Sequence, residues 1–343
     1  MTITHKPFII PVFLPNVGCP HQCAFCNQTA ITGEKQKIIS AEKLGSYINE
    51  FLNYKGLQRK RVQIAFYGGN FLGLKRDYAC LLLNEASRFV RQGKVDSLRF
   101  STRPDTIDKE RLDAIKDFPV STIELGVQSM DDRVLTMARR GHSAVDTKKA
   151  VCLLKERNYE IGIQMMVGLP GDDDTGALAS ARRIAELYPD FVRIYPTLVL
   201  DKSPLAGWYR KGEYTPLSLQ QCVTLVKKLY LLFREKGINV IRMGLQASES
   251  LSKESTILAG PYHPAFGHLV FSEIFLDKAS AVMELEKPLH NMISIKVNPK
   301  NISRIRGLNN MNIKALKKRF NIKSIQIIAD LNLRESALMV EGQ

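Results

Sequence analysis

The chain has 343 residues, 45% hydrophobic and 24% charged, a composition that excludes a disordered or fibrous protein and supplies a large core. By length it holds one α/β barrel with an appendage, or two domains. Its formal net charge of +15 is excessive for an enzyme that handles only small neutral molecules, and points toward a polyanion.

The opening residues, MTITHKPFIIPVFLPN, lack a basic segment followed by a long apolar run, so no signal peptide is expected. No window approaches the roughly 18 uninterrupted apolar residues of a membrane span. The expected partners therefore include no membrane. The expected compartment is cytoplasmic, where thiols stay reduced.

A first β-rich run at 9–14 (IIPVFL) leads directly into CPHQCAFC, which holds Cys19, Cys23 and Cys26. An amphipathic stretch near 40–54 precedes a strand at 62–67 (VQIAFY) and the cluster YGGN. The pattern then repeats. A helix near 75–93 precedes SLRFS (97–101) and STRPD; a helix near 108–117 precedes STIELGV (121–127) and VQS. An amphipathic stretch over 131–156 precedes IGIQMMV (161–167) and GLPGD. A helix over 174–188 precedes FVRIY (191–195) and YPT, and another amphipathic stretch covers 216–236. Six strand–helix repeats predict an α/β fold with a parallel sheet, a partial (β/α)6 TIM-like barrel. RMGLQ (242–246) and GPYHPAFGHLV (260–270) close that region, giving expected domains at 1–270 and 271–343. Active sites of such folds lie at the carboxyl ends of the strands, where all six clusters fall. Cys80, Cys152 and Cys222 read as small core residues, Tyr195 and Tyr262 as core aromatics, and His263 and His268 as structural histidines.

Three thiols within eight residues admit a zinc site, a redox pair or an iron–sulfur site. A structural zinc site wants four protein ligands, and no second C-x-x-C pair exists here. A redox pair would use Cys23 and Cys26 and leave Cys19 unexplained. Three thiolates on one loop suit a four-iron cube with one iron left open.

The spacing C-x-x-x-C-x-aromatic-C, with Phe25 before the last cysteine, resembles the signature loop of the radical S-adenosylmethionine (SAM) superfamily. The resemblance covers about residues 8 to 270. It implies a [4Fe–4S] cluster on Cys19, Cys23 and Cys26, with SAM on the open iron and cleaved by one electron. It also implies an electron donor, a reductase or a flavodoxin or ferredoxin. Carried over by position, it makes Gly68, Gly69 and Asn70 of FYGGN contacts to the methionine part of SAM. Ser101 and Arg103 follow the third strand, where many relatives have Glu at the place of Ser101. Gln128 and Arg140 form a pair that holds SAM, the arginine meeting its carboxylate. Gln164 and Met166 reach ribose and adenine. The catalytic residues are not identified.

Within the superfamily, LGVQSMDDRVL, RRGH and GLPGD also resemble the oxygen-independent coproporphyrinogen oxidases. STRPD and IYPTLVLDKSPLAGWYRKGEYTPLS look closer to the catalytic subunit of Elongator, which modifies the wobble uridine of tRNA. The chain resembles a shortened bacterial relative without the acetyltransferase domain, so acetyl-coenzyme A chemistry is not carried over.

From Lys287 onward eleven Lys and Arg face three Asp and Glu, a surplus of eight positive charges. There MISIKV (292–297), ISRIRG (302–307), GLNN (307–310), NIKALKKRF (312–320) and SIQIIAD (324–330) predict strand, helix, loop, helix and strand. This is the minimal core of a KH-like module, whose GXXG loop clamps a nucleic-acid backbone; Asn310 stands where the second glycine belongs. Arg304, Arg306, Lys314, Lys317 and Lys318 flank the loop as candidate phosphate contacts. The expected partner is RNA, tRNA in particular, and the expected reaction is radical modification of an RNA base. The alternatives are oxidation or methylation of a tetrapyrrole-like metabolite, and a non-catalytic iron–sulfur RNA-binding module.

Overall fold

The computed structural model describes residues 7–33, 38–54, 61–246, 251, 256–286 and 292–342. Strand β1 (Phe8–Phe13) leads through the cysteine loop to α1 (Gln28–Thr32) and α2 (Ala41–Asn53). Strand–helix units follow: β2 (Val62–Tyr67) and α3 (Arg76–Arg91), then β3 (Ser97–Thr102) and α4 (Lys109–Ile115). Next come β4 (Val120–Gln128) with α5 (Asp132–Met137) and α6 (Ala144–Glu156), then β5 (Glu160–Val167) and α7 (Asp174–Ala185). The sixth unit is β6 (Phe191–Pro196), followed by β7 (Val199–Leu200), α8 (Pro204–Arg210) and α9 (Leu219–Glu235). Strands β8 (Asn239–Met243) and β9 (Ile257–Ala259) precede the long helix α10 (Phe266–Glu286).

Strands β1, β2, β3, β4, β5, β6 and β8 form one parallel sheet in that order, curled into a half-barrel. Strand alternation explains the layering. Phe100, Ile123, Ile163, Met165, Val192 and Ile194 are fully buried in the core on the helix side. The seventh strand, β8, extends the six-unit expectation: RMGLQ begins inside it, and it pairs with β6. The stretch 131–156 is two helices. Arg139 (φ 54°) and Gly141 (φ 68°) take left-handed backbone between them, and Ser143 with Asp146 forms a capping box that restarts the helix. Of the three scattered cysteines, Cys222 is buried in the core, Cys80 is half-buried and Cys152 is exposed, so only Cys222 fits the core reading.

The remaining elements are β10 (Met292–Val297), α11 (Ile302–Arg306), α12 (Met311–Phe320), β11 (Ser324–Ala329) and β12 (Leu338–Gly342). β10 is central, parallel to β11 and antiparallel to β12. The expected strand–helix–loop–helix–strand order is present, with a third strand added. The expected boundary at 270/271 falls inside α10. Phe266, Val270 and Ile274 join the barrel core, whereas Phe275, Ala279 and Met283 join the core of the small lobe. One helix thus couples the two cores.

Candidate active site

The start of the cysteine loop is held along the end of β2. Leu14 N–H donates to Tyr67 O at 2.7 Å, Asn16 N–H to Gly68 O at 2.9 Å, and Asn70 N–H to Val17 O at 3.0 Å. Contact is so close that a Cβ on Gly18 (φ 76°) would lie 2.2 Å from Asn70 O, and one on Gly69 would lie 2.5 Å from Val17 O. Gly69 therefore admits the close approach of the cysteine loop. Gly68 (φ 89°) turns the chain there. The Asn70 side chain is engaged in the same packing. It is fully buried, its Nδ2 donates to Gly18 O at 3.0 Å, and its Oδ1 accepts from Thr102 Oγ1, Arg103 N and Thr106 Oγ1 at 2.6, 3.1 and 2.9 Å. It clamps the loop to the third strand end.

Further along, Ala24 N–H donates to Ala138 O at 3.0 Å and Leu205 N–H to Ala24 O at 2.8 Å, stringing the loop between the ends of α5 and α8. Phe25 packs against two buried clusters, one of Val134, Ala138, Met166 and Leu169, the other of Val199, Leu205, Ala206 and Tyr214. Cys19 is exposed, Cys26 half-buried and Cys23 buried. Burial, then the neighbouring Cys23 and Cys19, pushes the Cys26 thiol up to about 12. Such a thiol needs a strong Lewis acid to ionise, as iron provides. Among the described residues no group of three His, Cys, Asp or Glu closes on a single metal ion. Three thiols on one loop suit a cube, in which each iron would take its own thiolate.

Beside the loop, Gln128, Arg140 and Arg103 come together. Arg140 Nη1 donates to Cys23 Sγ at 3.0 Å and its Nη2 donates to Gly126 O. Arg103 forks onto Asp105 at 2.9 and 3.0 Å and also donates to Arg140 O. A Cβ on Gly126 would stand 3.1 Å from Gln128 Nε2 and 3.4 Å from Arg140 Nη2, so these two side chains share one strand end. Three buried polar atoms here have no partner: Arg103 Nη1, Arg140 Nε and Gln128 Oε1. Two cationic donors and one amide acceptor fit the carboxylate and ammonium of an amino acid such as the methionine part of SAM. His142 lies behind them. Burial first, then the Arg140 and Arg103 charges, brings it down to about 4, so it is neutral at pH 7.

Ser101 and Gln164 belong to a second group, inside the half-barrel. Gln164 Nε2 donates to Ser101 Oγ at 3.1 Å and to Glu124 Oε2 at 3.0 Å. Glu124 is fully buried and pairs with Arg99 at 3.1 Å and Arg193 at 2.8 Å, and Tyr67 O–H donates to it at 3.0 Å. Sequence reasoning passed over this network. Its signal is one charged residue inside each of three apolar strands of the sheet, β3 (SLRF), β4 (TIELGV) and β6 (FVRIY), with β5 between the last two. Met166 lies between the groups, buried against Phe25.

Comparison with known proteins gives the setting. The family model for the radical SAM superfamily matches residues 13–184, and that for the radical SAM C-terminal domain matches 189–275. A tRNA uridine(34) acetyltransferase of Dehalococcoides mccartyi is 29% identical over 239 residues, covering 60% of this chain and 52% of that protein. An uncharacterised protein of Methanocaldococcus jannaschii is 32% identical over 235 residues, covering 64% of this chain and 70% of that one. The solved structure of the archaeal Elp3 of Methanocaldococcus infernus superposes with a TM-score of 0.62 at 19% identity, covering 80% of this chain and 63% of that one. The chain thus spans about half the length of the acetyltransferase it matches.

Proposed function

The chain belongs to the radical SAM superfamily, an enzyme with a [4Fe–4S] cluster and SAM as cofactors, and from that premise we propose that it modifies a base of tRNA. When bound, the cluster and SAM supply a 5′-deoxyadenosyl radical by one-electron cleavage of SAM. Cys19, Cys23 and Cys26 hold the cluster in this reading. Arg103, Arg140 and Gln128 bind the amino-acid end of SAM, and Phe25 with Met166 shuts water out from one side. The electron donor, a reductase or a small flavodoxin- or ferredoxin-like protein of the cytosol, approaches the exposed residues 19–22. Beside them lies a groove of about 650 Å³ lined by His21, Arg139 and His142.

The observation that carries RNA as substrate is the basic loop of the small lobe. Gly307 (φ 69°), Asn309 (φ 50°) and Asn310 (φ 59°) turn the chain between α11 and α12, with Leu308 and Met311 exposed. Here Asn supplies the left-handed backbone otherwise expected of a second glycine. Arg306, Lys314 and Lys318 are exposed beside the loop. Arg304 differs from expectation: it stacks 4.2 Å from the Phe271 ring centroid and donates to Asn301 at 2.8 Å, so it locks the lobe onto α10. No helix of the described residues is long and apolar enough to cross a membrane.

The test is tRNA binding by the full chain at several salt concentrations. Replacing Arg306, Lys314 and Lys318 together by Gln reduces the salt slope by roughly two to three, as the loss of about three phosphate contacts requires. An unchanged affinity and slope would remove the small lobe from RNA recognition.

A further inference from the structure

We propose that the open interior of the half-barrel is an oxyanion site, built on Arg193 and Arg242, that takes a phosphate or carboxylate group of the substrate. The proposal rests on reading this interior as the substrate side of a radical SAM enzyme, and it stands or falls separately from RNA as the source of the anion.

The interior is open. On the helix side of the sheet Phe100, Ile163, Val192 and Ile194 are fully buried. On the opposite face Tyr67, Ser101, Gln164, Arg193 and Tyr195 are only partly buried, and Phe13 is 38% exposed. Polar side chains with access to solvent line a face that a plugged barrel would fill with apolar ones.

Its charge is unbalanced. Glu124 is the acidic group at its floor, and it is shared by Arg99 at 3.1 Å and Arg193 at 2.8 Å. Tyr67 and Gln164 also donate to this carboxylate, each at 3.0 Å, so its acceptor capacity is spent. Two guanidinium groups against one carboxylate leave one positive charge. Arg242 adds another. It is in register with Arg193 on the adjacent strand, one step before Met243, which pairs with the core-facing Ile194. Strand alternation therefore puts Arg242 on the same inner face as Arg193. Among the described residues Arg242 has no hydrogen-bond or ion-pair partner.

A half-buried positive surplus is costly without a counter-charge, and among the described residues no carboxylate pairs with Arg242. Arg193 Nε and Nη2 are taken up by Glu124 and Tyr67, which leaves its Nη1 edge to act with the unpartnered Arg242 fork on the neighbouring strand, an arrangement that suits an oxyanion with two or three acceptor oxygens. Arg193 is fixed for that role by Glu124 and by the Tyr67 ring, whose centroid lies 5.6 Å away. Arg242 is the free member, and its removal leaves the Glu124 network intact.

The experiment titrates inorganic phosphate, acetate, uridine and uridine 5′-monophosphate calorimetrically into the full chain, its Arg242→Gln variant and its Arg242→Lys variant. The expected result is millimolar or tighter binding of phosphate or acetate by the parent chain. Arg242→Gln weakens it roughly ten-fold or more, and Arg242→Lys retains most of it. Uridine 5′-monophosphate binding above uridine, and losing that margin in Arg242→Gln, identifies a nucleotide phosphate as the source. Phosphate or acetate binding through Arg242 with neither nucleoside nor nucleotide bound keeps the oxyanion site and counts against RNA. No oxyanion binding by the parent chain, or binding unchanged by Arg242→Gln at an unchanged melting temperature, overturns the proposal.

Discussion

Arg140 Nη1 lies 3.0 Å from Cys23 Sγ, a direct hydrogen bond between the residue expected to hold SAM and one expected to hold iron. The same guanidinium leaves its Nε buried without a partner. Arg140 thus has one hand on the cysteine loop and another free for a ligand. A donor on a cluster thiolate favours the more negative, reduced cluster. Replacing Arg140 by Gln therefore lowers the midpoint potential of the reconstituted cluster by on the order of tens of millivolts. Electron paramagnetic resonance during a redox titration reads this, and an unchanged potential would limit Arg140 to binding SAM.

Asn70 offers a prediction about stability. Asn70→Ala leaves Thr102, Thr106, the Arg103 N–H and the Gly18 carbonyl short of a partner in a fully buried place. The expected loss is about 2–4 kcal/mol, measured as a shift of the urea midpoint in the absence of iron. A shift under about 0.5 kcal/mol would mean that the loop is not clamped there.

Gly18 and Gly69 test the fit of the loop against β2. Gly18→Ala adds a Cβ 2.2 Å from Asn70 O in left-handed backbone, and Gly69→Ala adds one 2.5 Å from Val17 O. Both displace the thiols, so both reduce iron and sulfide bound after anaerobic reconstitution. Cys80→Ser and Cys152→Ser lie outside the loop and leave iron content unchanged. Full iron loading of Gly18→Ala would contradict this account of the loop.

His142 gives stability a pH dependence. Its value falls from 6.5 unfolded to about 4 folded, through burial and the Arg140 and Arg103 charges, with Asp105 opposing. The folded state holds the neutral ring. Its contribution is complete above about pH 6.5, is lost as pH falls from 6.5 toward 4, and amounts to about 3 kcal/mol in all. Comparing urea midpoints of the parent and His142→Phe between pH 7 and pH 4 isolates it. Parallel curves would show that His142 does not titrate in this way.

The parallel sheet and the cysteine loop were legible because each rests on local pattern. Apolar runs end in Gly, Pro or Ser, and the thiols sit within eight residues. The half-barrel interior was not, because Glu124, Arg99 and Arg193 meet only through strand register across three elements. The break at Arg139 was hidden as well. A non-glycine residue at φ 54° has no strong local signal, although Gly141 and the Ser143–Asp146 capping box two and four residues on do mark the restart. The packing of Asn70 and Gly69 against the cysteine loop was not legible either. Their neighbours there, residues 17 and 18, lie some 50 positions earlier, which sequence spacing alone does not bring together.

The central claim is radical SAM chemistry on this loop. Anaerobic reconstitution with iron and sulfide, followed by dithionite and SAM, with and without total tRNA, tests it by the release of 5′-deoxyadenosine. The account predicts product from the parent chain and none from Cys23→Ala. A fully loaded cluster that releases no more 5′-deoxyadenosine than Cys23→Ala under either condition would contradict it.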